Sequence, residues 1–236
     1  MIKLPVILLD PGHGIDTPGK RSPDASLNLI HSPYYFREYA QARKIAHGIA
    51  DVLYFDGFTA FVLVPEEKDI PLRERTDRIT AYCRKYGAET VIVESIHVNA
   101  AKSDKKWHDA RGISIYTSPG ITRSDTLATY VYEAAVDELV NRTYGHPYGN
   151  TFGSGKGRQK PIRADWSDGD PDYEACFWML SQHPATSILV EHGFQDNKED
   201  VAWLKSDEGL GSCIHFNVQG IENFILKEFN KTIARS

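Results

Sequence analysis

Pro5-Val-Ile-Leu-Leu-Asp-Pro-Gly-His-Gly14 opens with an apolar run, Pro5 to Leu9, and closes on a tight turn flanked by glycines. A run this short suits a buried strand better than a helix, and glycine takes up backbone angles that other residues avoid. His13 is therefore expected at the C-terminal end of a strand.

Working outward, residues from about Tyr35 to Phe55 place Ala42, Ile45, Ala46, Ile49, Val52 and Leu53 at the three-and-four spacing of a helix facing a core. Gly57 then releases the chain into a strand, Phe58 to Val64. A second helix is expected from Pro71 to about Tyr86, with proline in its first turn and Gly87 at its end. The β-prone run Val91 to Ile96 follows, and His97 ends it. Ile113 to Thr117 reads as a strand and Ser124 to Leu139 as a helix, followed by a short helix from Phe177 to Leu180. Thr186 to Val190 reads as a buried strand and Ile214 to Phe224 as a closing helix. Strands that alternate with helices predict an α/β fold, a mostly parallel twisted sheet with helices on both faces, where ligands gather at the C-terminal strand ends. His13, His97 and Glu191 each follow such a strand.

The 236 residues suit one large core, so a single domain spanning 1–236 is expected. Between Asn141 and Asp172 the composition shifts to Gly, Pro, Asp, Lys and Arg, and residues 142–172 read as a substrate-side loop excursion. The net charge of -5 comes without a long charged run, which argues against nucleic acid or an anionic membrane surface as partner. Cys83, Cys176 and Cys213 are odd in number and far apart, so neither a disulfide framework nor a thiolate metal cage is expected. The first ten residues are too briefly apolar for a signal peptide or a membrane span, so synthesis in the cytoplasm without membrane insertion is expected. Neither H-E-x-x-H nor G-x-S-x-G occurs, and Gly149 to Gly157 departs from a phosphate-binding loop.

Hydrolytic zinc sites use three protein ligands, imidazole nitrogens and carboxylate oxygens, and keep a fourth position for water. His13 and His97 supply two. Glu38 suits the third because it precedes Ala42 by four residues and Ile45 by seven, on the apolar helix face, where an unpartnered carboxylate is costly. The plain alternative is a solvated glutamate at a frayed helix start. Glu66 and Glu67 follow the next strand but share no helix face with a core stripe. Glu94 reads as an inward or edge carboxylate paired with a nearby arginine. His31, His47, His108, His146, His183 and His215 read as ordinary structural histidines.

Leu9-Asp-Pro-Gly-His-Gly14, Glu38, Ser95-Ile-His-Val-Asn-Ala100 and Glu191-His-Gly-Phe-Gln-Asp-Asn197 together resemble the zinc-dependent N-acetylmuramoyl-L-alanine amidases, in that family's order. Pro71-Leu-Arg-Glu-Arg75 is similar to its arginine-bearing stretch, so the likeness spans roughly residues 5 to 225. The resemblance implies one mixed α/β domain and one zinc ion on His13, Glu38 and His97. It implies Glu191 as the catalytic carboxylate, base and then acid, in cutting the amide between N-acetylmuramic acid and L-alanine. Many relatives carry a small hydroxyl residue where His192 stands, which fits a hydrogen bond to substrate or a pocket wall. A catalytically idle wall-binding module and a zinc hydrolase of another amide are the competing readings. Peptidoglycan is the expected partner, engaged by a groove near Trp166 and Tyr173, and the chain is expected to be a monomer. Such an enzyme acts on the wall after release or export, as a phage-type endolysin or a host enzyme does.

Overall fold

The computed structural model describes residues 4–141 and 162–229, so most of the excursion expected over 142–172 lies outside the described residues. Its core is a six-stranded sheet of β1 (Val6–Pro11), β2 (Thr59–Val62), β3 (Val91–Asn99), β4 (Ile113–Thr117), β5 (Tyr173–Glu174) and β6 (Thr186–Phe194). The spatial order is β2-β1-β3-β6-β4-β5. Every neighbouring pair is parallel except β4 with β6, which run antiparallel. The helices are α1 (Pro23–Ser26), α2 (Glu38–Phe55), α3 (Leu72–Tyr86), α4 (Arg123–Val136), α5 (Trp178–Ser181), α6 (Lys198–Lys205) and α7 (Asp207–Glu228).

The expected α/β architecture is what forms, and strand alternation explains its two cores. Successive side chains point to opposite faces of a sheet. Ile7 and Leu9 of β1, with Ile92 and Ile96 of β3 and Ile188 and Val190 of β6, pack under α2, α4, α6 and α7. Val6, Leu8, Val91 and Val93 point the other way, against Ile79 and Cys83 of α3 and Met179 of α5. Helices therefore cover both faces, and near-continuous apolar strands are what doubly covered parallel sheets require. α2 meets the sheet through Ala42, Ile45, Ala46, Ile49 and Leu53, all fully buried, while Val52 of the expected stripe is 39% exposed.

Several element ends differ from expectation for local reasons. α7 begins at Asp207, because Ser206 caps it by accepting from the Gly209 amide. α6 follows β6 directly; Asn197 caps it, accepting from the Glu199 and Asp200 amides. β3 runs on to Asn99 and β6 to Phe194, so His97 and Glu191 lie within strands, near their ends. Cys83 and Cys213 are buried and Cys176 exposed, all unbridged.

Candidate active site

The turn after β1 is built to bring His13 and His97 together. His13 holds a left-handed backbone with φ of 59°, a conformation that costs a non-glycine residue of order 1–3 kcal/mol and clusters at functional sites. A side chain at Gly12 would sit 2.3 Å from the His97 ring, and one at Gly14 would sit 1.9 Å from the Asp69 amide nitrogen. Both glycines thus let the turn pass close to its neighbours. The His13 carbonyl accepts from Arg43 at 3.1 Å and Arg75 at 3.4 Å. Arg75 is 2% exposed and also binds Asp10 at 2.8 Å and the Pro11 carbonyl at 2.9 Å. Ser95 donates to the other oxygen of Asp10 at 2.7 Å, which ties β3 to the turn.

Glu38, the first residue of α2, is fully buried. Its Oε1 lies 3.1 Å from His97 Nδ1 and 3.4 Å from His13 Nε2, and it accepts from the Val98 amide at 3.0 Å. The imidazoles meet edge-on with centroids 4.9 Å apart. One nitrogen from each histidine and one oxygen of Glu38 all lie within 4.8 Å of one another, the sole such group of three or more ligating residues among the described residues. The structure brings together the three residues that the sequence nominated. Glu66 is elsewhere, paired with Arg78 at 2.7 Å.

The electrostatics match a cation-binding group. Burial drives Glu38 toward protonation, but the adjoining His13 and His97 imidazoles outweigh it and hold the carboxyl well below the usual range. Burial lowers His13 despite Glu38. For His97 burial also lowers the pKa, yet Glu38, Glu191 and Asp10 together raise it. Among the described residues, His13 Nε2 and Glu38 Oε2 are buried and make no well-aligned hydrogen bond. Two imidazole nitrogens and a carboxylate, with orphaned donor atoms converging, fit a zinc ion.

Glu191 lies opposite His97 in the β3–β6 ladder. Its Oε2 is buried without a partner among the described residues, and burial, reinforced by the charge of Glu38, pushes its carboxyl up to about 7. That value suits a group that takes and returns a proton near neutral pH. The helix that follows, α6, is capped by Asn197 and not by Glu191.

Directly after Glu191 the ladder is irregular: His97 pairs with Glu191 but Asn99 with Phe194, so β6 spends one residue more than β3. This is a β-bulge, a device common beside active sites. Gly193 supplies its positive φ of 112°. His192 fills the gap, its Nδ1 donating to the His97 carbonyl at 3.2 Å and its Nε2 accepting from Asn217 at 2.7 Å. His192 is 0% exposed and stacks on Phe216, so it faces the core and not the substrate. Burial lowers its pKa to about 4, which keeps the ring neutral.

A cavity of about 390 Å³ opens beside the histidines, walled by Ile70, Pro71, Leu72 and Met179 as well as Asp10 and Arg75. Tyr173 lies toward the Glu191 side, pairing with Tyr116 of β4. Trp166 instead packs edge-on against Tyr132 of α4, the helical layer on the opposite sheet face. Glu94 also departs from expectation. It is fully buried, and both oxygens lack any partner among the described residues. Burial alone raises its carboxyl to about 8, so it resides in the core as a neutral acid.

A family model described as N-acetylmuramoyl-L-alanine amidase matches residues 7–223. The chain belongs to this family. The amidase family acts on peptidoglycan, and the matched span includes His13, Glu38, His97 and Glu191. Among solved structures, an N-acetylmuramoyl-L-alanine amidase from Clostridium difficile 630 is similar with a TM-score of 0.72 at 19% identity, covering 96% of this chain and 99% of its own. The amidase AmiC2 of Nostoc punctiforme follows at 0.67 and 19%, over 95% of this chain and 98% of that one. The catalytic domain of an endolysin targeting Clostridia difficile reaches 0.59 at 17%, over 93% and 97%. These likenesses concern the fold. No curated protein sequence matches the chain. No helix among the described residues is long and apolar enough to cross a membrane.

Proposed function

We propose that this amidase is zinc-dependent and cuts the amide between the lactyl group of N-acetylmuramic acid and L-alanine, with His13, Glu38 and His97 as ligands and Glu191 as the proton carrier. The observation that carries the reading is the convergence of three ligand atoms within 4.8 Å of one another, with Glu191 paired across the ladder from His97. Zinc held there supplies Lewis-acid chemistry, activating water and polarising a carbonyl. Glu191 accepts the proton of the attacking water and returns it to the departing amine of L-alanine, so one carboxylate serves as base and then acid. Arg75 and Arg43 hold the His13 carbonyl, and His192 holds that of His97, so the ligands are oriented before substrate arrives. The site of action is the cell wall.

The test is to treat purified muropeptides with the protein and identify products by mass. Free stem peptide with an intact L-alanine amine, lost on chelation and restored by zinc, is the expected result. Cleavage at another bond, or cleavage unaffected by chelation, contradicts the reading.

A further inference from the structure

On the sheet face toward which His97 and Glu191 point, α3 and α5 pack against β1, β3 and β6. Over β4 and β5 three rings cluster. Tyr116 lies 5.4 Å from Tyr173 and 5.3 Å from Phe177, centroid to centroid. Phe177 is 40% exposed, and Tyr116 and Tyr173 are partly exposed. The cluster is continuous with the catalytic carboxylate. Ser114, two residues before Tyr116 on the same face, pairs with Glu191, which puts the rings roughly 7 Å along the strand from it. The Tyr116 hydroxyl is within reach of the Ser114 and Asn99 side chains.

We propose that Tyr116, Tyr173 and Phe177 form a platform that seats a pyranose ring of the glycan strand beside Glu191. This rests on the amidase reading above. A pyranose ring carries an apolar face of C–H bonds and a polar rim, and so wants an aromatic surface with hydrogen-bonding groups at its edge. Tyr116 and Asn99, both partly exposed, provide that edge. The scissile amide hangs from the sugar by a short lactyl arm, so the sugar must sit next to the proton carrier. A stem peptide with free carboxylates suits the platform less. Tyr116 lies within the field of Glu191, which disfavours an anionic group on the rings.

The experiment is calorimetric titration of a peptide-free N-acetylglucosamine tetrasaccharide into the native chain and into Tyr173→Ala, Phe177→Ala and Phe177→Trp. Binding by the native chain, weakened roughly three- to tenfold in each alanine variant at unchanged melting temperature and restored by Phe177→Trp, is expected. Equal affinity in native and Phe177→Ala, or no binding by the native chain at millimolar tetrasaccharide, overturns the platform. So does a free stem tripeptide whose binding is the one lost in Phe177→Ala. Muropeptide cleavage measured alongside separates the two claims. Cleavage without tetrasaccharide binding sinks the platform and leaves the amidase; platform-dependent binding without cleavage does the reverse.

Discussion

At the residue scale the site depends on side chains that stand where a solitary group would be unfavourable. Asp10 is fully buried and is held by Arg75 and Ser95. Arg75→Ala strands that carboxylate and frees the His13 carbonyl, and should cost about 3–5 kcal/mol of stability in chemical denaturation. A shift below 1 kcal/mol would show that the pair does not hold the turn. Glu94 is the opposite case, a buried acid without a partner among the described residues. Burial holds its folded-state carboxyl up at about 8, against an ordinary value of 4.5. Between those values the folded chain keeps a proton that the unfolded chain has lost. Stability from this residue is therefore complete below the unfolded value, declines by about 1.4 kcal/mol per pH unit as pH rises between the two, and levels off above the folded one. Glu94→Leu should remove that slope and gain most at alkaline pH. Parallel stability curves for native and variant between pH 5 and 8 would refute the assignment.

At the scale of elements, the ends of β1, β3 and β6 and the start of α2 do the positioning, and the bulge in β6 is the least replaceable part. His192 occupies the ladder position that the bulge leaves open, anchored by Asn217 of α7. His192→Ser should loosen His97 and weaken zinc affinity by about 10- to 100-fold, with little loss of fold, measured by competition with a chromogenic chelator. Unchanged affinity would reduce His192 to core filler. Gly12→Ala acts on the same ring from the other side, because its new methyl would overlap His97. Much of this level was legible in the sequence. The three-and-four stripe of α2 put Glu38 on a buried face, and the apolar runs before His13, His97 and Glu191 put all three near strand ends. The bulge was not legible, since the extra residue in β6 shows only in the register, where His97 pairs with Glu191 but Asn99 with Phe194. Nor was the antiparallel setting of β4, which alternation of strand and helix does not encode. The packing of Trp166 against Tyr132 of α4 was not legible either, because it depends on tertiary contacts that composition does not reveal.

At the scale of the whole molecule, two cores of unequal size clamp one sheet, and the site forms at the rim where the strands leave them. The larger core fixes α2, and with it Glu38; the smaller fixes α3, and with it Arg75. The metal group therefore draws on both layers, so zinc should bind the folded state and raise its melting temperature, while chelation should lower it. A melting temperature indifferent to zinc would mean that the three ligands do not act together. The central claim is that His13, Glu38 and His97 hold the metal while Glu191 moves the proton, and the most direct measurement is zinc content and muropeptide cleavage of native protein beside Glu191→Ala. The account expects one zinc per chain in both, with cleavage by the variant reduced by about 10²- to 10⁴-fold. Loss of zinc from Glu191→Ala, or cleavage close to native with zinc in place, would contradict it.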